Sequence, residues 1–190
     1  QLNNSGVFSV EEALALKNLG ELGGSLEHIE TQTVSGVTTV DFQSIGNFDV
    51  HFLTLNNMES STTNIRYSLR FYESGTLETS SVYKWAFQQQ LSGASGSEFY
   101  DDSHSSIPVQ LEQPTGFNSG GYTYLYNLTD SALYSSTSNQ HIRVSDAVIA
   151  EFGGGVMTQA SVVDGFQISG YDSSTPSFSG TLKLYGVKQI

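Results

Sequence analysis

Short runs of alternating apolar and polar residues recur along most of the chain. The cleanest sets Ile65, Tyr67, Leu69 and Phe71 on one face and Arg66, Ser68, Arg70 and Tyr72 on the other. A period of two sends successive side chains to opposite faces of a strand, so each run predicts a strand with one face in a core. The last run, 178–187, places Phe178, Gly180, Leu182, Leu184 and Gly186 together, against Ser179, Thr181, Lys183, Tyr185 and Val187. Its two glycines leave gaps where a neighbour approaches closely or a bulge sits. This final strand is expected to close the fold and to tie down the terminus.

Similar patterns predict strands at 26–33 and 37–42, joined through Ser35-Gly36 as a tight hairpin. Phe48, Val50 and Phe52 alternate, and Leu53 and Leu55 then move to the other face, which suggests a bulge or a strand covered on both sides. Further strands are expected at 82–90, with Tyr83, Trp85 and Phe87 on one face, and at 107–111, where Pro108 argues for an edge. Tyr122, Tyr124, Tyr126 and Leu128 form another row, and strands at 141–149, 156–163 and 166–171 complete the series. Three stretches read as connections: a long polar loop at 92–106, a polar segment at 131–139, and a flexible break at Gly153-Gly154-Gly155.

One helix is predicted. Ser9 and Glu12 have capping-box spacing, Phe8 is placed to staple onto Ala13, and Val10, Ala13, Leu14 and Leu16 form an apolar stripe. Glu11 and Glu12 suit the first turn, Lys17 suits the last, and Gly20 suits the C-terminal cap. About ten residues of helix are not stable alone. The segment 1–24 is therefore expected to dock, either over one end of the strand domain 25–190 or on a partner protein. With no strand–helix–strand alternation and no fixed-period repeat, the prediction is an all-β chain. Its expected fold is one antiparallel β-sandwich of jelly-roll type with one short N-terminal α-helix.

Composition narrows the function. The 190 residues suit one domain, and 37% hydrophobic content is enough to bury a core. Only 14% of residues are charged, so the surface is dominated by Ser, Thr, Asn, Gln and Gly. The net charge of −12 offers no basic footprint for nucleic acid and argues against docking on anionic lipid. There is no cysteine, hence no disulfide and no thiolate metal site. No apolar run approaches the roughly 20 residues of a membrane-spanning helix.

Candidate chemistry is sparse. No serine-hydrolase elbow, phosphate-binding loop or paired-histidine zinc motif occurs, so no catalytic residue and no cofactor is assigned. His28, His51, His104 and His141 show no metal-pair spacing and read as hydrogen-bonded structural residues. Asp101, Asp102 and Ser103 offer oxygen ligands for calcium without matching a loop template, and such residues are otherwise simply solvated. Glu98 and Asp101 form a carboxylate pair of the kind used in glycoside hydrolysis, if the fold brings them together. The Tyr122–Tyr124–Tyr126 row fits a core or subunit interface, and alternatively a sugar-stacking platform. Asn127-Leu128-Thr129 matches the glycosylation acceptor pattern.

Two features resemble virion structural proteins of tailed bacteriophages. One is the opening stretch from Ser5 to Leu16. The other is the succession of the segments 48–57, 65–72 and 179–188, ending in Ser-Gly-Thr-Leu-Lys-Leu-Tyr-Gly-Val-Lys. Leu182 stands where such closing strands usually carry an aromatic, and Glu73-Ser74-Gly75 is shorter than their usual turn. The resemblance implies a non-enzymatic particle component of fibre, tail or capsid-decoration type. Its partners would be itself, as a homotrimer, other virion proteins and a host-surface glycan. The alternative is a secreted carbohydrate-binding β-sandwich. The two readings differ in surface: an assembly module needs a broad docking face, a sugar binder one small aromatic cleft.

Overall fold

The alternation in the sequence becomes strand pairing throughout the described part of the chain. The computed structural model describes residues 11, 25–62, 65–144, 147–171 and 176–188. Among them lie thirteen strands: β1 Leu26–Val37, β2 Thr39–Phe42, β3 Val50–Ser60, β4 Ile65–Glu73, β5 Thr76–Leu77, β6 Tyr83–Leu91 and β7 Ser97–His104, followed by β8 Ile107–Gln113, β9 Ser119–Tyr126, β10 Tyr134–Val144, β11 Val148–Ala160, β12 Val163–Tyr171 and β13 Phe178–Val187. The predicted helix lies outside the described residues, except for Glu11, whose side chain is exposed.

Two antiparallel sheets face each other as a β-sandwich. The larger has the order β1-β13-β3-β9-β10-β11-β6-β7, and the smaller has β2-β12-β4-β5 with β8 also paired to β4. The inner faces meet through Leu53, Leu55, Leu125, Leu182 and Leu184 on one side and Val40, Phe42, Leu69, Phe71, Phe166 and Ile168 on the other, all buried. Tyr67 of β4 meets Phe178 of β13 edge-on across the sandwich at 5.3 Å. Each such side chain contributes roughly 1.5–3 kcal/mol of burial, which is what holds the layers together. The final strand forms as its pattern predicts, and it runs between β1 and β3. Its glycines are sites of close approach: a Cβ on Gly186 would run into the Phe48 ring, and one on Gly180 into Met58. A register shift falls at Gly180.

Four expectations are corrected. The segments 26–33 and 37–42 do not form a hairpin: β1 pairs β13 in the larger sheet and β2 pairs β12 in the smaller. Gly36, at φ 65°, sits in a register shift of β1 just before the chain crosses between layers. The stretch 92–106 is mostly strand β7, an edge strand whose polar composition hides its pairing to β6. The glycine run is not a break but the middle of β11, in unbroken register with β6 and β10. A Cβ at Gly153 would meet the Ala86 carbonyl and one at Gly154 the Thr137 carbonyl, so tight sheet packing requires the run. Finally, 134–144 is one strand, and the proposed strand 141–149 spans the connection from β10 to β11. Its inward residues are Ser135, Thr137, Asn139, His141 and Arg143, so no hydrophobic alternation marks it.

That polar inner face follows from the uneven sheets. Strands β10, β11, β6 and β7 extend beyond β9, and β8, which has β4 as its strand partner, packs beneath β10, β11 and β6. Pro108 on β8 agrees with the predicted edge position. Two of its main-chain groups take side chains from the overlying sheet: Leu111 N donates to Glu151 at 2.9 Å, and Asn139 donates to the Pro108 carbonyl at 2.9 Å. An edge strand presents open ladder groups, and these contacts occupy two of them.

Candidate functional site

The outer face of the larger sheet carries the most distinctive surface. Register aligns His28 with Tyr185, Tyr185 with Phe52 and Phe52 with Tyr124, one from each of β1, β13, β3 and β9. The rings touch in sequence. His28 meets Tyr185 at 5.5 Å, Tyr185 meets Phe52 at 6.2 Å, and Phe52 meets Tyr124 at 4.8 Å. Tyr122 and Tyr126 flank Tyr124 at 5.7 and 6.2 Å. The Tyr122 hydroxyl donates to Gln140 on β10 at 2.6 Å. The predicted tyrosine row is thus part of a ladder crossing four strands. Aromatic neighbours prefer offset-stacked or edge-on contacts, and here the contacts are edge-on or tilted except Tyr124–Tyr126, which is stacked.

The same register line continues from Tyr124 through Ser138, Gly154 and Ala86 to Tyr100 on β7. The neighbouring line runs Tyr122, Gln140, Phe152, Gln88, Glu98. Where the two lines cross β11, β6 and β7, they border an open hollow of about 350 Å³ lined by Ala86, Gln88, Glu98, Tyr100, Phe152 and Gly153, among others. Tyr100 is 80% exposed. Gln88 donates to Glu98 at 3.3 Å. Tyr100 and Phe152 carry no signal in the sequence because the residues that follow them in the chain, Asp101-Asp102-Ser103 and Gly153-Gly154-Gly155, break the apolar pattern.

Under this face lies a sealed polar layer. Glu151 accepts from Arg143 Nε at 3.2 Å and Gln89 Nε2 at 3.0 Å as well as from Leu111 N. Burial pushes its carboxyl above the ordinary carboxylate range, against the pull of those donors. His141 is buried with no hydrogen-bond partner at either ring nitrogen, and burial holds its pKa down to about 3. Thr123 Oγ1 and Asn139 Oδ1, paired in register, are likewise buried without partners.

The other predicted residues are not brought together. His51 Nε2 bonds the Ile45 carbonyl at 2.9 Å, His104 Nδ1 bonds at Ser106, and His28 Nε2 bonds Thr31 Oγ1. Asp101 accepts from Ser103 N at 2.9 Å within β7. Glu98 pairs with Gln88 on the outer face, whereas Asp101 pairs with Trp85 on the inner face, so the two carboxylates point to opposite sides. Asn127, at φ 60°, donates to the Tyr134 carbonyl. Among the described residues no group of three or more acidic or histidine side chains is arranged to hold a metal. Compared with models of known families, with curated proteins and with solved structures, the chain finds no match.

Proposed function

We propose that this chain is a non-enzymatic assembly module of a virus particle, of fibre, tail or capsid-decoration type, which associates with copies of itself as a homotrimer through the outer face of its larger sheet. The observation that carries the reading is the aromatic ladder His28–Tyr185–Phe52–Tyr124, flanked by Tyr122 and Tyr126. Aromatic side chains are enriched in the cores of protein interfaces, where the ring buries and the hydroxyl finds a partner. Ile142, Val144 and Val148 continue the apolar surface at the end of the β10–β11 pair. The virion setting and the number three come from the resemblance, and the face comes from the register.

We also read the sandwich as a jelly roll. Its support is the nesting of the pairs β1·β13, β2·β12, β3·β9 and β4·β8, which alternate between the two sheets. That is the order produced when one long antiparallel ribbon rolls into two layers. On this reading β5 to β7 and β10 to β11 are insertions, four strands of which widen the larger sheet.

The test is Phe52→Glu, which places a charge at the centre of the ladder on an outward position. Light scattering is expected to show the assembled mass for the parent chain and a single-chain mass for the variant, with cooperative melting retained in both. An unchanged mass for a folded Phe52→Glu variant would overturn the proposal.

A further inference from the structure

We propose that the hollow between β11, β6 and β7 binds an uncharged sugar residue of a glycan, a role separate from the ladder on which the assembly reading rests. Tyr100 and Phe152 border the hollow, and among the described residues neither ring stacks on another. Tyr100 has Ala86 as its register partner, and Gly154 lies beyond it. The floor beside the ring is therefore low, and on this edge strand Tyr100 is 80% exposed.

A pyranose presents a flat patch of C–H groups on one face and hydroxyls around its rim. The hollow supplies the complement to both. Aromatic faces take the apolar patch, because their negative quadrupole faces attract polarised C–H groups. Gln88 and Glu98 stand beside the rings and can meet the rim. A carboxylate accepts at two oxygens and an amide both donates and accepts, so the pair can engage adjacent hydroxyls. Their mutual bond is long, at 3.3 Å, and Gln88 Oε1 and Glu98 Oε2 remain beyond it. O–H donation to a carboxylate is among the stronger hydrogen bonds available to a hydroxyl.

Charge selects the class. No lysine or arginine lines the hollow, Glu98 is its carboxylate, and the chain carries a net charge of −12. An anionic sugar is repelled, while a neutral one loses nothing. The volume of about 350 Å³ lies at the lower end of the roughly 300–1,000 Å³ typical of small-molecule sites, which suits a terminal sugar or a disaccharide. The hollow is open, so a chain-end or side branch can enter from solvent.

The experiment is titration of the isotope-labelled full chain with lactose, maltotriose, cellotriose and mannobiose at tens of millimolar, with sialyllactose as the anionic control, followed by amide chemical shifts. At least one neutral saccharide is expected to shift Ala86, Gln88, Tyr100 and Gly153 together, with sialyllactose weaker than lactose. Tyr100→Ala is expected to weaken that binding about tenfold, Tyr100→Phe to retain it, and both to leave the assembled mass unchanged. Three results would each overturn the proposal: no shift at these residues with any of the four neutral saccharides, an undiminished response in a folded Tyr100→Ala variant, or a fall in assembled mass for that variant, which would make the hollow part of the subunit contact. The mass and the titration are read separately, so failure of sugar binding does not count against assembly.

Discussion

Arg143 Nε and Glu151 Oε1 meet at 3.2 Å across β10 and β11, with side chains 6% and 1% exposed. A buried pair is costly to form, and removing one partner strands the other charge, at about 3–5 kcal/mol. Arg143→Met alone is therefore expected to cost that much in urea unfolding. Adding Glu151→Gln keeps an acceptor for Leu111 N but removes the charge, so the double variant should recover a large share of the loss. Additive costs would show that the two groups are not coupled.

His141 makes stability depend on pH. Its folded pKa is held down to about 3, against 6.5 when unfolded. Below 6.5 the unfolded chain takes up a proton that the folded chain refuses, so stability falls as pH drops from about 6.5 towards 3. The slope from this group is at most ~1.4 kcal/mol per pH unit. Glu151 stands opposite in register, but its oxygens are engaged by Arg143, Gln89 and Leu111 N. His51, also lowered by burial, adds in the same direction. His141→Leu should flatten the slope measured by urea unfolding between pH 6.5 and 4.5. An identical slope in parent and variant would contradict the assignment.

The two faces of β4 are tested by neighbouring substitutions. Leu69 is fully buried in the core, and Leu69→Asp should abolish cooperative folding by burying an unpaired charge. Arg70 lies on the opposite face, as its place in the alternation indicates, yet it is not a free surface residue. Its Nε donates to the Ser105 carbonyl at 2.9 Å, pinning the turn between β7 and β8. Arg70→Ser should therefore leave the fold intact at a cost of roughly 1–3 kcal/mol in denaturant unfolding. A cost near zero would show that the turn is held by other contacts.

Gly186 is expected to resist substitution for a packing reason. The Phe48 ring occupies the space a side chain would need. Gly186→Ala should lower stability by about 1–3 kcal/mol, while Gly75→Ala, where the space is open but φ is 73°, reports backbone strain alone. Calorimetry on the two variants separates the causes. A neutral Gly186→Ala would mean that Phe48 moves aside freely.

These contrasts show what the sequence could carry. β4, β6 and β13 pack one face against the opposite layer's apolar residues, so burial writes an alternation into their composition. β10 turns Asn139, His141 and Arg143 inward near the edge of β8, where Asn139 bonds the Pro108 carbonyl and Arg143 bonds Glu151, and with polar side chains at its buried positions the strand is invisible to a hydrophobic pattern. β7 is an exposed edge with a polar inner neighbour at Asp101, so it reads as a loop. The tyrosine row on β9 is legible, but its partners Phe52, Tyr185 and His28 come from strands distant in the chain, and only register aligns them. Tyr100 and Phe152 are brought together the same way, across β6.

In the proposed assembly the aromatic ladder is covered by other copies of the chain. Sedimentation equilibrium of the unmodified full chain, from low to high micromolar concentration and without other proteins, tests it most directly. A mass three times the 20.6 kDa of one chain is expected. A stable single-chain mass at high micromolar concentration would contradict it.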